Sequence, residues 1–342
     1  MPRHLPQNDI HVPTNDSRTI GFLLVPDFSL LSYSSAIEPL RAANLLSGRT
    51  LYRWRHVSTD GEPVAASSGV SVTAEGRVGE RTPVDTLLVF AAGNPASFDH
   101  KPTFSWLRAL ARRGVSVGGI SGGPYILARA GLLDGHRCTI HWMHVPAFLE
   151  EFPHLRPSMN LYEIDRGRLS CAGGIGALDM MCAMIEADHG KALAVAVREW
   201  FLHGHRPAEH PQRADLVERL GVRSAHLLRV LQQMGERLEA PLTRAELARS
   251  VGLSIRQLER LFAAQLGGTI GNTYRDLRLE RARALVREST LPITEIAMAA
   301  GFASASNFSR RYKERYGGAP LAERRAQMAR ARRGRSKRTA RV

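Results

Sequence analysis

Along the first two hundred residues, runs of apolar residues alternate with helical periodicity. Thr19–Val25 (TIGFLLV) is an unbroken apolar run, the pattern of a strand buried on both faces. A helical pattern follows over 30–46, a strand over 52–58 and a hairpin over 64–72 around Ser67-Ser68-Gly69. Asp85–Ala92 is a second buried strand, 103–113 a helix and 115–120 a further strand. That last strand runs directly into a helix over 122–130. Such alternation predicts a parallel, doubly wound α/β sheet, with ligands at the carboxyl ends of its strands. Later, Leu178, Met181, Cys182 and Ile185 form one stripe of a helix over 177–189, read as core. The next helix, 192–202, is a candidate dimer surface.

Beyond residue 220 the period is helical throughout, and one pattern occurs twice, about fifty residues apart. The first copy is Ala248-x-x-x-Gly252-Leu253, a turn, then Leu258-Glu-Arg-Leu-Phe262; the second is Ala297-x-x-x-Gly301-Phe302, a turn, then Phe308-Ser-Arg-Arg-Tyr312. A small Ala lets one helix cross another closely, and Gly supplies the turn between them. Each copy therefore reads as a helix-turn-helix, and the pair as a reader of two major-groove segments of duplex DNA. The second turn is one residue longer. The outward positions are Ser254, Arg256, Gln257 and Arg260 in the first copy. In the second they are Ser304, Ser306, Asn307, Arg310 and Arg311. Arg bonds a guanine edge and Asn or Gln an adenine edge bidentately, while other arginines grip phosphate or pair with Glu259 or Glu314. On these residues, with Pro292-Ile-Thr-Glu-Ile-Ala297, Tyr316-Gly317 and the joining helix Tyr274–Leu285, the chain resembles the AraC/XylS-type DNA-binding domain over 220–326. It departs from that family where Ile270-Gly271-Asn272 replaces the usual Ser-Pro, leaving the start of the joining helix open. The resemblance implies activation by recruiting RNA polymerase.

The charge follows this division. The 342 residues carry a formal net charge of +15, and residues 226–342 hold 24 Lys/Arg against 10 Asp/Glu. Residues 324–342 alone hold nine of those basic residues and no acid, so the helical units are only modestly basic. The tail is expected to be disordered and to add salt-sensitive phosphate affinity, or to be merely solvated. Residues 1–18 read as a disordered leader, 19–206 as the α/β domain, 207–219 as a Pro-containing linker and 327–342 as the basic tail. Cys138, Cys171 and Cys182 lack metal-finger spacing, and no apolar run is long enough to span a bilayer. Together these point to reduced thiols, no membrane and a cytoplasmic location.

The junction Gly118-Gly119-Ile120-Ser121-Gly122-Gly123-Pro124 turns a strand sharply into a helix. A side chain at such an elbow stands above the sheet, and the amides that follow favour an anion. With Leu127–Gly135 and Thr139-Ile-His141-Trp142, this stretch resembles the ThiJ/PfpI branch of the class I glutamine amidotransferase-like superfamily over 18–205, which implies a flavodoxin-like fold. In that superfamily the elbow residue is a nucleophilic Cys; here it is Ser121, which needs a general base. Glu38 stands where the superfamily often has an acid, and Ser121, His141 and Glu38 complete a triad on paper. The reading favoured here is a pocket without catalysis, with neither metal nor cofactor. Its lining is taken as Glu38, Asn94, Ser121, Gly122, His141 and Trp142. The paired domains resemble regulators with an amidotransferase-like sensor, which implies a small amine, betaine or amino-acid effector and a homodimer. Glu38 would meet an ammonium, and Trp142, Tyr125 and Phe28 are candidate aromatic faces. His141 and His144 read as an ordinary pair rather than metal ligands. Two other readings stand beside this one: a serine-dependent hydrolase or amidase fused to a DNA anchor, and a domain used only for dimerisation.

Overall fold

The computed structural model describes residues 17–212, 221–327 and 329, in two compact units divided after Gln212. The first is a seven-stranded sheet in the order β5-β2-β1-β6-β7-β9-β8. Its strands are β1 (Arg18–Leu24), β2 (Tyr52–Ser58), β5 (Gly76–Arg77), β6 (Thr86–Ala91), β7 (Ser116–Ser121), β8 (Tyr162–Asp165) and β9 (Arg168–Cys171); β3 (Val64–Ala65) and β4 (Ser71–Val72) form the separate hairpin. All neighbours in the large sheet are parallel except the edge pair β8–β9. The central strands β1 and β6 are buried because helices cover both faces: α1 (Leu30–Ser47), α2 (Lys101–Arg112), α3 (Gly123–Arg129), α4 (Val145–Glu151), α5 (Gly176–His189) and α6 (Lys191–Trp200). The doubly wound, flavodoxin-like expectation holds.

Three local differences from the sequence reading have physical causes. Arg18, counted with the leader, opens β1 because its guanidinium meets Asp188 at 2.6 Å. The β8–β9 hairpin went unread, although Arg166-Gly167 is a two-residue turn with both φ positive, 48° and 76°. Residues 207–212, expected in the linker, are bound to the first unit. The Ala208 carbonyl accepts from the Leu161 amide at 2.8 Å, Pro211 bridges Asn160, and the Gln212 side chain makes four hydrogen bonds there. The remaining leader, the linker after 212 and most of the basic tail lie outside the described residues.

The second unit is all-helical: α7 (Ala225–Glu236), α8 (Arg244–Ser250), α9 (Ile255–Leu266), α10 (Ile270–Glu288), α11 (Ile293–Ala299) and α12 (Ala305–Tyr316). Leu227, Leu231, Leu247, Leu258 and Phe262 form a core with Ile270 and Tyr274 from the first turns of α10. Farther along α10, Leu279, Ala282, Leu285 and Val286 are buried, as are Ile296, Phe308 and Tyr312 of the second copy. The open question about the start of α10 is answered by Thr269, whose hydroxyl accepts from the Asn272 amide at 3.2 Å.

Candidate functional site

Ser121 ends β7 with φ at 61°, a left-handed conformation that a serine adopts only when its surroundings enforce it. The enforcement is visible. The Gly122 amide donates to the Ala91 carbonyl at 2.8 Å, and a Cβ on Gly123 would collide with the Val89 carbonyl oxygen, so α3 sits directly on β6. Gly122, expected to offer its amide to an anion, therefore spends it inside the fold. Opposite Ser121 lies the loop entering α5. A Cβ added to Gly173 would fall 2.8 Å from both the Ser121 Cβ and the Ser32 Oγ. Ser32 in turn accepts from the Gly174 amide at 2.8 Å. Ser32 is thus the α1 residue facing the elbow, and the sequence reading missed it. Its signal was faint: a polar residue inside the first turn of a helix, buried with Ala36 and Ala43.

Glu38 takes a different place from the one expected. It lies six positions beyond Ser32, about 9 Å along α1 and roughly 120° around it, so the two face different directions. Its carboxylate receives Arg41 at 2.7 Å and its side chain is 41% exposed. The acid of the triad drawn from sequence is thus engaged by Arg41 on its own helix. His141 does stand beside the elbow: its amide donates to the Ser121 carbonyl at 3.3 Å, and its Nδ1 accepts from the Met143 amide at 3.3 Å. Its ring lies against Trp142, centroids 5.3 Å apart. Asn94 precedes Pro95, whose ring would contact a Cβ on Gly122 at 3.1 Å. The Asn94 Oδ1 is buried and has no hydrogen-bond partner among the described residues.

The loop carrying His141 and Trp142 is held from behind by a strap. Gln212 Oε1 accepts the Trp142 amide at 2.8 Å, and its Nε2 donates to Thr139 Oγ1 and to the carbonyls of Ile140 and Asn160. Upstream, buried Asp179 receives His203 Nε2 at 2.8 Å and the Arg206 guanidinium at 2.7 Å. The residue that leads out of the first unit therefore also fixes the wall of the pocket.

In the second unit, Ser254 and Ser304 cap the two recognition helices, fifty positions apart, by accepting from the Gln257 and Asn307 amides. Leu258 and Phe262 of the first copy, like Phe308 and Tyr312 of the second, point inward. Arg256 and Arg260, offset by half a helical turn, are exposed, as are Ser306, Asn307 and Arg310. Two expected readers are differently occupied. Gln257 Oε1 accepts from the Ser254 amide at 2.8 Å in a capping box, so its side chain is turned back onto the start of its own helix. Arg311 is half-buried and pairs with Glu314 at 2.9 Å.

Residues 18–151 match the DJ-1/PfpI family and residues 247–326 the Helix-turn-helix domain. Over 90% of its length the chain is 45% identical to the HTH-type transcriptional regulator GlxA of Rhizobium meliloti, covering 96% of that protein. The chain belongs to the AraC-type transcriptional regulators with a DJ-1/PfpI-like domain. HTH-type transcriptional regulator CdhR of Pseudomonas aeruginosa is 42% identical over 90% of this chain and 92% of its own. A ThiJ/PfpI family protein from Pseudomonas syringae shares the fold of the first unit, with a TM-score of 0.50, 20% identity, and coverage of 60% of this chain and 83% of its own.

In this regulator the other sequence candidates resolve into core. Phe28 is fully buried, and Tyr125 is buried with its hydroxyl donating to Glu151 at 2.7 Å, so neither offers a face to a ligand; Trp142 remains half-buried. Burial pushes the Cys138 thiol up to about 11 and those of Cys171 and Cys182 to about 12, leaving them protonated and unreactive at neutral pH. Among the described residues no cluster of ligating side chains could hold a metal ion, and no helix is long and apolar enough to cross a membrane.

Proposed function

We propose that this transcription regulator is controlled by a small nitrogenous metabolite, an amine, betaine or amino acid, bound without turnover at the Ser121 elbow. The observation that carries the non-catalytic reading is the pairing of Glu38 with Arg41, on a face of α1 turned roughly 120° from Ser32. A serine needs a base held in the correct orientation before it can attack anything. The buried, unpartnered Oδ1 of Asn94 is an acceptor suited to a ligand N–H, and the Trp142 indole is suited to a cationic group. The effector would lie against Ser121, Ser32, Asn94, His141 and Trp142.

Control requires the effector to prefer one arrangement of the protein over another. The Gln212 strap offers a route: a ligand that shifts the 139–142 loop alters the anchorage of the chain entering the linker. DNA is read by Arg256 and Arg260 on one recognition helix and by Ser306, Asn307 and Arg310 on the other. Two copies acting together, with RNA polymerase as the downstream partner, complete the reading.

The test is thermal denaturation of the full chain against a panel of amines, betaines and amino acids, with product analysis of each hit. A saturable rise in melting temperature with the compound recovered intact supports a sensor. Consumption of the compound, lost in Ser121→Ala, would establish the serine hydrolase instead. Gly173→Ala, which crowds Ser121 and Ser32, is expected to abolish the shift; a full shift in that variant would place the effector elsewhere.

A further inference from the structure

The two helix-turn-helix copies are joined by more than the length of α10. Tyr274 and Arg278 stand one turn apart on that helix, where its first buried face ends and its second begins. The Tyr274 hydroxyl donates to the Arg237 carbonyl at 2.7 Å and accepts from the Leu242 amide at 3.1 Å, gripping the loop that leads into the first copy. Arg278 grips the turn of the second copy. Its Nε donates to the Ala300 carbonyl at 2.8 Å, a terminal nitrogen donates to the Gly301 carbonyl, and its guanidinium lies 4.2 Å from the centre of the Phe302 ring. The loop and the turn also touch each other. A Cβ on Gly301 would collide with the Leu238 carbonyl oxygen and lie 2.8 Å from that of Glu239.

We infer that Arg278 is a positioning residue for DNA recognition: it locks the second helix-turn-helix turn against the 237–242 loop and so sets the separation at which the two recognition helices meet DNA. A planar guanidinium that both forks onto two successive carbonyls and stacks on an aromatic ring holds an orientation that a lysine cannot. Arg278 is committed to the Ala300 and Gly301 carbonyls. It acts through the turn that launches α12. Two rigidly linked modules bind a correctly spaced pair of half-sites far more tightly than either alone, and that advantage disappears once the linkage loosens. The inference rests on the reading that both recognition helices engage DNA.

The experiment selects bound duplexes from a random-sequence pool with the full chain and with Arg278→Lys and Arg278→Leu, with thermal melting of each as a folding control. Wild type is expected to recover half-sites in pairs, one pair for each copy of the protein, at one spacing within the pair. Both variants are expected to recover the same half-sites over a spread of spacings. Affinity for the wild-type spacing should fall about tenfold, while affinity for a duplex carrying one half-site changes little. Arg278→Lys keeps the charge, so it remains informative if the leucine variant does not fold. Variants that fold and retain the single wild-type spacing would overturn the positioning role. Wild type recovering no paired half-sites would overturn the two-helix reading and this inference with it.

Discussion

The two helix-turn-helix copies use one frame with different fittings. Both have a serine cap, two inward side chains four apart, and a left-handed glycine after the recognition helix, Gly267 and Gly317. They part at the turn. Gly252 and Gly301 both have positive φ, but a Cβ on Gly252 would meet nothing within 4 Å, whereas one on Gly301 would strike backbone. They part again at the cap, where Gln257 completes a capping box and Asn307 contributes only its amide. The core residues of a repeat answer to the same packing demand in both copies. Its turn and outer face answer to whatever each copy must hold or read.

Phe262→Ala and Phe308→Ala remove equally buried rings, so each should cost about 3–5 kcal/mol in denaturant unfolding; a large inequality would contradict the shared frame. Gly252→Ala should cost about 1–2 kcal/mol from its left-handed backbone alone, and Gly301→Ala clearly more, because backbone must move. Equal costs for the two glycines would show that the second turn is not wedged. Ser254→Ala and Ser304→Ala should each lose about 1 kcal/mol, the first slightly more because its partner bonds back; melting of the variants checks the order.

The smallest effect separates the copies by pH. Glu323 sits beneath the second copy, accepting from Arg283 at 2.9 Å, Arg287 at 2.6 Å and the Tyr312 hydroxyl at 2.9 Å. Burial raises its pKa, but those donors outweigh it and hold the carboxyl below the usual glutamate range. A depressed folded pKa contributes stability that is full above the unfolded value and is lost as pH falls through the folded one. Acid titration of the wild type should therefore show a loss that Glu323→Gln lacks. Parallel curves would remove that role.

Much of this was legible in the chain. Buried strands announce themselves as unbroken apolar runs, and the repeat as a spacing, because both patterns are local. What escaped depended on partners far away in sequence. Glu38 was matched to the elbow by position, yet the helical period turns it toward Arg41 while Ser32 faces Ser121. Residues 207–212 look like a linker because they lack apolar residues, yet polar bonds to 139–161 bind them down. Gln257 has a base reader's chemistry, and its oxygen also closes the cap of its own helix, three residues earlier.

The two recognition helices are expected to read separate DNA segments through their exposed faces. The most direct test compares the duplexes selected by wild type, Arg260→Ala and Arg310→Ala from the same random pool. Each variant should lose about 1–3 kcal/mol of discrimination at one half-site only, a different half-site for each. Uniform weakening across all sequences, or loss at the same half-site in both variants, would contradict it.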